Sequence, residues 1–457
     1  MDLFQLLSSE LGPARVLRDE LALERFAVDE SGLPRFPPEC AVLAESRAEI
    51  ELVLRLAQEH RIAVTPRGAG TGMTGGALPV RGGIVLSTER MVRIREIDAE
   101  NLIAVVEPGL TTGALQAEVE AAGLFYPPDP ASLESCSLGG NVAENAGGPR
   151  AFKYGTTRDY VLGLEVVRMG GETLQLGRRT PKGVVGYDLV ALMVGSEGTL
   201  AVATEIVLKL LPKPRAVATL LATFRDLLTA GAAVGTLVGR GHRPRALELL
   251  DRVTLEHLRG RTPYRFPDGA GAALLCELDG DPEGMEAQLL RCAESCEQSG
   301  AIEIQIAEDE RRRRELWETR RRANPTLKAL HRRKIPEDIV VPRAAIPEML
   351  RRVDAVATQA NLPCATYGHA GDGNLHINLL IDEPDSPELE ARIERALDAT
   401  MRATLELGGT LAGEHGVGLL KQRYLPWEQA PPVIQLQRQL KRLLDPEDLL
   451  NPGKIFP

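Results

Sequence analysis

Cysteine is scarce and scattered in this chain. Six residues (Cys40, Cys136, Cys276, Cys292, Cys296 and Cys364) stand in 457. Only Cys292 and Cys296 lie close together, on a helical pattern, and no C-x-x-C occurs. The cysteine runs that ligate iron–sulfur clusters are therefore missing, and buried, reduced thiols of a cytosolic protein are the expectation. Basic charge is not in excess either. A formal net charge of −10 and a pI near 5.5 argue against nucleic acid as the main partner, because phosphate contacts need a basic face. No apolar run reaches the roughly 20 residues of a membrane-spanning helix. The opening Met1-Asp2-Leu3-Phe4-Gln5-Leu6-Leu7-Ser8 lacks a basic segment ahead of an apolar one. These absences lead us to expect no transmembrane segment and a cytoplasmic location, with any membrane contact peripheral and made through partners.

What is abundant is glycine in a few places. The densest is Pro66-Arg67-Gly68-Ala69-Gly70-Thr71-Gly72-Met73-Thr74-Gly75-Gly76, between apolar runs at 62–64 and 83–87 that read as strands. Successive glycines leave backbone N–H groups bare and able to point at one place, the geometry of an anion nest. Neither G-x-G-x-x-G nor the Walker pattern describes it, and the loop has no lysine. A glycine-rich hairpin without a ligand is the competing reading. The loop lies within an α+β stretch over 41–122, and after it comes a long polar stretch, 127–148, read as an irregular ligand-wrapping element because Leu138, Val142 and Ala146 punctuate it. Leu211-Pro212-Lys213-Pro214 reads as the main domain boundary. Strands alternating with amphipathic helices over 215–425 suggest an antiparallel sheet covered by helices.

Two further segments carry chemistry-bearing side chains. In Tyr367-Gly368-His369-Ala370-Gly371-Asp372-Gly373-Asn374-Leu375-His376-Ile377-Asn378, strand alternation puts His376 and Asn378 on one side, and a glycine turn can fold His369 back beside His376. Gly413-Glu414-His415-Gly416-Val417-Gly418 supplies a carboxylate and an imidazole between glycines. Two imidazoles and a carboxylate suit a divalent ion with open positions, and His415 suits a proton acceptor near neutral pH. The competing reading is that of ordinary hydrogen-bonding histidines, since H-x6-H is a loose spacing. Among many arginines, Arg320 and Lys334 are candidates to grip a carboxylate.

Together these blocks, with Gly195-Ser196-Glu197-Gly198-Thr199-Leu200 and the final Asn451-Pro452-Gly453-Lys454, resemble the FAD-linked oxidases of the vanillyl-alcohol-oxidase (PCMH) type. The segments 368–378 and 413–418 resemble the branch holding D-lactate dehydrogenases, D-2-hydroxyglutarate dehydrogenases and the flavin subunit of glycolate oxidase. The resemblance implies an α+β fold: an N-terminal helical segment (1–37), a two-subdomain FAD-binding domain (38–214), an antiparallel-sheet substrate or cap domain (215–425), and a C-terminal helix and loop (426–457). It implies FAD with its pyrophosphate on Arg67, Gly68, Ala69, Gly70, Thr71 and Gly72, with Pro66 and Gly75 as further cofactor contacts. The ring system would run along Pro130, Ala131, Ser132, Gly139, Gly140, Asn141, Asn145, Gly147 and Gly148. Tyr154, Gly155, Ile206 and Asn451 would contribute further cofactor contacts, and Glu197 and Gly198 would lie toward the adenosine end. A divalent metal, typically zinc, would sit on His369, His376 and Glu414, with His415 as base and Arg320, Lys334 and Asn378 on the substrate. Asn324 stands where some relatives carry a threonine, and no histidine lies in the 67–76 loop, which implies dissociable FAD. The implied reaction is oxidation of a small 2-hydroxy acid, with electrons leaving to a quinone, an electron-transfer flavoprotein, a cytochrome or an iron–sulfur partner chain. A chain acting alone, as a monomer or a homodimer, and the flavin subunit of a hetero-oligomeric glycolate oxidase both fit; a non-catalytic flavin- or metal-binding module fits less well.

Overall fold

A computed structural model describes residues 3–457, which form two compact units. One holds the residues up to Gly147, then Gly155–Lys213 and Glu414–Pro457; the other holds Gly148–Tyr154 and Pro214–Gly413. The switch between Lys213 and Pro214 falls inside the proline-rich segment. The return crossing comes at Gly413 and Glu414, and the N-terminal helical residues count with the first unit.

In the first unit, β-branched and leucine-rich runs pair into two sheets. Val16–Leu17, Cys40–Leu43, Ile84–Ser87 and Val64–Arg67 follow one another across a four-stranded sheet, its last three strands parallel. Helix Arg47–His60 connects two of the parallel strands. Ser46 caps its start, and its Ile50, Val53, Leu54 and Ala57 stripe is fully buried. The far edge of Val64–Arg67 is covered from the C-terminal end of the chain: Val64 N donates to Leu449 O at 2.8 Å, and Asn451 N donates to Val64 O at 2.7 Å. The second sheet is antiparallel, in the order Ile94–Asp98, Ile103–Val106, Val202–Lys209, Val161–Val167, Thr173–Gly177.

The 127–148 stretch is not irregular throughout. Leu138–Glu144 is a helix, with Ser137 capping Gly140 N and Asn145 ending it at φ 56°. Gly139 and Gly140 lower its intrinsic propensity, and burial of Leu138 and Val142 restores it.

The second unit is built on a seven-stranded antiparallel sheet, in the order Ala301–Ile306, Ala216–Phe224, Ala272–Gly280, Ala246–Asp251, Cys364–His369, Asn374–Ile381, Arg333–Val340. Two of its central strands, Ala246–Asp251 and Cys364–His369, are not apparent from apolar runs alone, because each mixes polar or charged residues into a short segment. The α+β architecture with a helix-covered antiparallel sheet is as expected. Residues 148–154 belong to this unit through Asp279, whose buried carboxylate accepts from Tyr154 OH at 2.8 Å and pairs with Lys153. Among the described residues, no helix is long and apolar enough to cross a membrane.

Candidate functional site

Strand alternation and register build one polar face in the second unit. Glu248 pairs with His369, Tyr367 with His376, and His376 with Asp338; one step along, Asn378 lies between Ala365 and Pro336. Ala246 and Leu250, on the same face as Glu248, pack with Leu316, Trp317, Tyr367 and Leu380. Apolar side chains therefore surround a short polar row. Helix Glu310–Arg321, capped by Asp309, lays Leu316, Trp317 and Arg320 against this face.

The polar row is highly connected. Glu248, fully buried, accepts from Arg320 Nε through Oε2 at 2.6 Å and faces His369 Nδ1 through Oε1 at 2.7 Å. Burial pulls its carboxyl upward, yet the charges and hydrogen bonds of His369 and Arg320 outweigh that and hold it below the usual value. The Arg320 guanidinium also lies over the Tyr367 ring, 4.8 Å from its centroid. On the other imidazole, His376 Nδ1 stands 3.7 Å from Asp338 Oδ1; Asp338 also accepts from Asn374 Nδ2 at 2.5 Å and Gly413 N at 2.9 Å. Lys334 Nζ donates to Asn378 Oδ1 at 2.8 Å, and burial lowers its pKa to about 8. Asn378 spends its amide N–H groups on Ala365 O and His376 O, so its main effect is to hold Lys334 in place.

His369 Nε2 and His376 Nε2 face each other at 3.5 Å. A carboxylate at Nδ1 favours the Nδ1–H tautomer of His369 and turns its Nε2 toward His376 Nε2. Imidazole nitrogens on one tetrahedral zinc, each about 2.0–2.1 Å from it, stand about 3.3 Å apart. The pair therefore fits a divalent ion. Glu414 is the residue after Gly413, whose amide Asp338 holds.

In the first unit the glycine-rich segments come together by backbone. A Cβ on Gly68 would overlap Ser137 Oγ, and one on Gly139 would lie 2.7 Å from Pro108 Cβ. Gly70 is at φ +74°, and a side chain there would meet the Arg67 guanidinium. That guanidinium packs against Gly70, and its Nη2 donates to Arg25 O and Val28 O, both at 2.9 Å, with its head over Phe26. Gly68, Gly70, Thr71 and Gly72 are half-buried and Ala69 is exposed; Pro66 lies in the strand and Gly75 at φ +85°. The 130–136 turn is closed by Leu133 N on Pro130 O and Cys136 N on Ser132 O, with Ala131 exposed at its tip.

Several expected cofactor residues hold this framework. Asn141 Nδ2 bonds Thr112 Oγ1, and Asn145 Oδ1 accepts from Thr156 Oγ1 and Arg158 N. Asn451 Nδ2 reaches Gly76 O and Glu197 O, while Ile206 is wholly buried in its strand. Gly155 and Gly198 both have positive φ, and a Cβ on Gly147 would come within 2.7 Å of Glu414 Oε2. Tyr154 and Gly148 fall in the second unit.

Glu197 accepts from Val417 N and Gly418 N, and Thr74 Oγ1 donates to His415 O at 3.0 Å. The loop carrying half-buried His415 is thus tied to the glycine-rich segment. A Cβ on Gly416 would collide with Glu144 Oε2, a buried oxygen with no hydrogen-bond partner. Burial first, and then the nearby Glu197 charge, pushes the Glu144 carboxyl well above its usual range. The glycines thus let neighbouring segments of this unit approach closely, and Glu144 Oε2 is left among them as a buried oxygen that a polar ligand group could satisfy.

Sequence reasoning missed Glu248, Asp338 and Glu144. A glutamate inside the apolar run Ala246-Leu247-Glu248-Leu249-Leu250 is the signal that could have found the first, because a carboxylate in a buried strand needs partners.

Comparison with known proteins gives two family matches. Residues 38–177 match the FAD binding domain, and residues 213–455 match the C-terminal domain of FAD linked oxidases. The chain is 41% identical over 419 residues to the glycolate oxidase subunit GlcD of Bacillus subtilis (strain 168), covering 92% of this chain and 89% of that one. It is 35% identical over 454 residues to a D-lactate dehydrogenase of Anaerostipes hadrus, covering 98% and 95%. Among solved structures, p-cresol methylhydroxylase aligns with a TM-score of 0.82 at 17% identity, covering 99% of this chain and 96% of that one, which shows a shared fold.

Proposed function

The chain belongs to the FAD-linked oxidase family and is an FAD-dependent oxidoreductase, and from that premise we propose that it oxidises a small 2-hydroxy acid (D-lactate, glycolate or D-2-hydroxyglutarate) to the 2-oxo acid. The observation that carries this reading is the polar row of the second unit: a fixed guanidinium, a buried ammonium and two imidazole nitrogens turned toward each other on one sheet face. Arg320, with its Nε taken by Glu248, keeps its remaining N–H groups for a carboxylate, and Lys334 adds a second cation. Such a pair holds the acid by its carboxylate and so presents C2 in one orientation. His369, His376 and Glu414 would hold the divalent ion, and the Gly68–Gly72 backbone with the 130–148 segment would hold FAD. When bound, FAD supplies the two-electron acceptor and the ion lowers the pKa of the substrate hydroxyl. His415 is the group we assign to accept the hydroxyl proton.

The test is a visible spectrum of the purified protein, followed by anaerobic addition of each of the three acids. Bleaching of a flavin spectrum by one of them supports the reading and identifies the substrate; no bleaching by any of the three, with FAD and Zn²⁺ both supplied, overturns it. The relative named as a glycolate oxidase subunit favours a second reading, in which partner chains carry the electrons away. Co-purification of further chains with the tagged protein from its own cells separates the two.

A further inference from the structure

Glu248 is a carboxylate that touches both Arg320 and His369 in the polar row. Its Oε2 takes the Arg320 Nε hydrogen at 2.6 Å and its Oε1 the His369 Nδ1 hydrogen at 2.7 Å. Its side chain is wholly out of water, and those of Arg320 and His369 are 10% and 5% exposed. Strand pairing sets Glu248 directly across from His369, so backbone register fixes one contact. The other is fixed by the Glu310–Arg321 helix and by the Tyr367 ring beneath the guanidinium.

We propose that Glu248 is a positioning residue that acts on two ligands at once, orienting His369 for the divalent ion and Arg320 for the substrate carboxylate. The inference rests on the reading above. Two physical effects support it. A carboxylate at Nδ1 locks the imidazole tautomer and ring angle and makes Nε2 a better donor to a metal; losing such a partner typically weakens metal binding 10- to 100-fold. A carboxylate on Nε pins the guanidinium at its stem, so the outer N–H edge is presented without rotamer search. Glutamine keeps the shape of the side chain but has only one acceptor oxygen. Its NH₂ must then face either the Arg320 or the His369 hydrogen, donor against donor. Because one side chain serves both groups, a single substitution should damage metal and carboxylate binding together, whereas a change at Lys334 should damage only the latter.

The experiment uses the FAD-loaded, metal-stripped chain. Zn²⁺ affinity is measured by competition with a chromophoric chelator in the absence of any hydroxy acid, for wild type, Glu248→Gln, Glu248→Asp and Lys334→Met. KM is then measured at saturating Zn²⁺ for whichever of the three acids bleaches the flavin. The expected result is a 10- to 100-fold loss of Zn²⁺ affinity in Glu248→Gln with a KM raised at least tenfold. Lys334→Met should raise KM alone, and Glu248→Asp should recover part of one or both constants. A Glu248→Gln protein that melts lower but keeps wild-type Zn²⁺ affinity and KM overturns the proposal while leaving the functional reading intact. A wild-type chain that binds no Zn²⁺ or Mn²⁺ overturns the metal reading and the proposal with it. If Glu248→Gln does not fold, Glu248→Asp decides: its carboxylate is drawn back by one methylene, and unchanged constants in it count against the proposal.

Discussion

The two oxygens of Glu197 are spent on one short loop, Oε1 accepting from Val417 N at 2.8 Å and Oε2 from Gly418 N at 2.7 Å. Glu197 itself stands in a left-handed turn at φ 52° and is buried. Its carboxylate therefore replaces water for two backbone donors that follow His415. Glu197→Gln turns an amide N–H against one of those donors, and an unmet buried donor costs about 1–3 kcal/mol. We expect Glu197→Gln to lose that order of stability in urea unfolding and to lower kcat more than tenfold, because the loop that carries His415 is loosened.

His415→Ala is expected to retain FAD and the 2-hydroxy acid but to lose about 10²–10⁴-fold in turnover, the usual contribution of a positioned base. Steady-state kinetics beside a flavin absorbance spectrum check this, and wild-type turnover in the variant would remove His415 from the role assigned to it.

His376→Ala removes one of the two facing imidazole nitrogens. Elemental analysis of the purified variant should show metal lost, with the flavin spectrum and the melting temperature little changed. Full metal occupancy in the variant would mean that the ion is held elsewhere.

Lys334 gives a pH dependence whose sign follows from its burial. Its folded pKa is lowered to about 8 from 10.5, so above about pH 8 the site loses the ammonium that holds the carboxylate. KM should rise toward tenfold per pH unit above that point, and Lys334→Met should have a high KM that no longer varies there. The same shift means the unfolded chain holds the extra proton between about pH 8 and 10.5. Lys334 therefore costs stability in full below pH 8, and less as pH rises through that window. Lys334→Met is expected to melt higher than wild type at pH 7.

Much of this was legible in the sequence, and for identifiable reasons. The glycine-rich stretch announces itself because no other residue permits such close backbone approach, and His369 and His376 come together because a glycine turn separates them. Glu248 and Asp338 were not legible as part of the site. Their roles depend on which strands become neighbours, and the order that sets Ala246–Asp251 beside Cys364–His369 is a long-range choice that local patterns do not encode. The hydrogen bonds of Arg67 were not legible either: its Nη2 donates to the carbonyls of Arg25 and Val28, remote in sequence. The helix Leu138–Glu144 was hidden by its own glycines, and packing rather than propensity forms it.

The edge of Val64–Arg67 is closed by Leu449–Asn451, the far end of the chain. On a ribosome working from the N-terminus, that strand, with the glycine-rich loop beside it, must wait for residues 449–451 before its outer hydrogen bonds are made. The sheet of the second unit, whose strands all lie between Ala216 and Ile381, can close sooner. Until residues 449–451 are made, an unpaired parallel edge stands open to any passing strand. A chain stopped before Leu449 would keep His369, His376, Glu414 and His415 and still lack the last piece of the sheet that begins it.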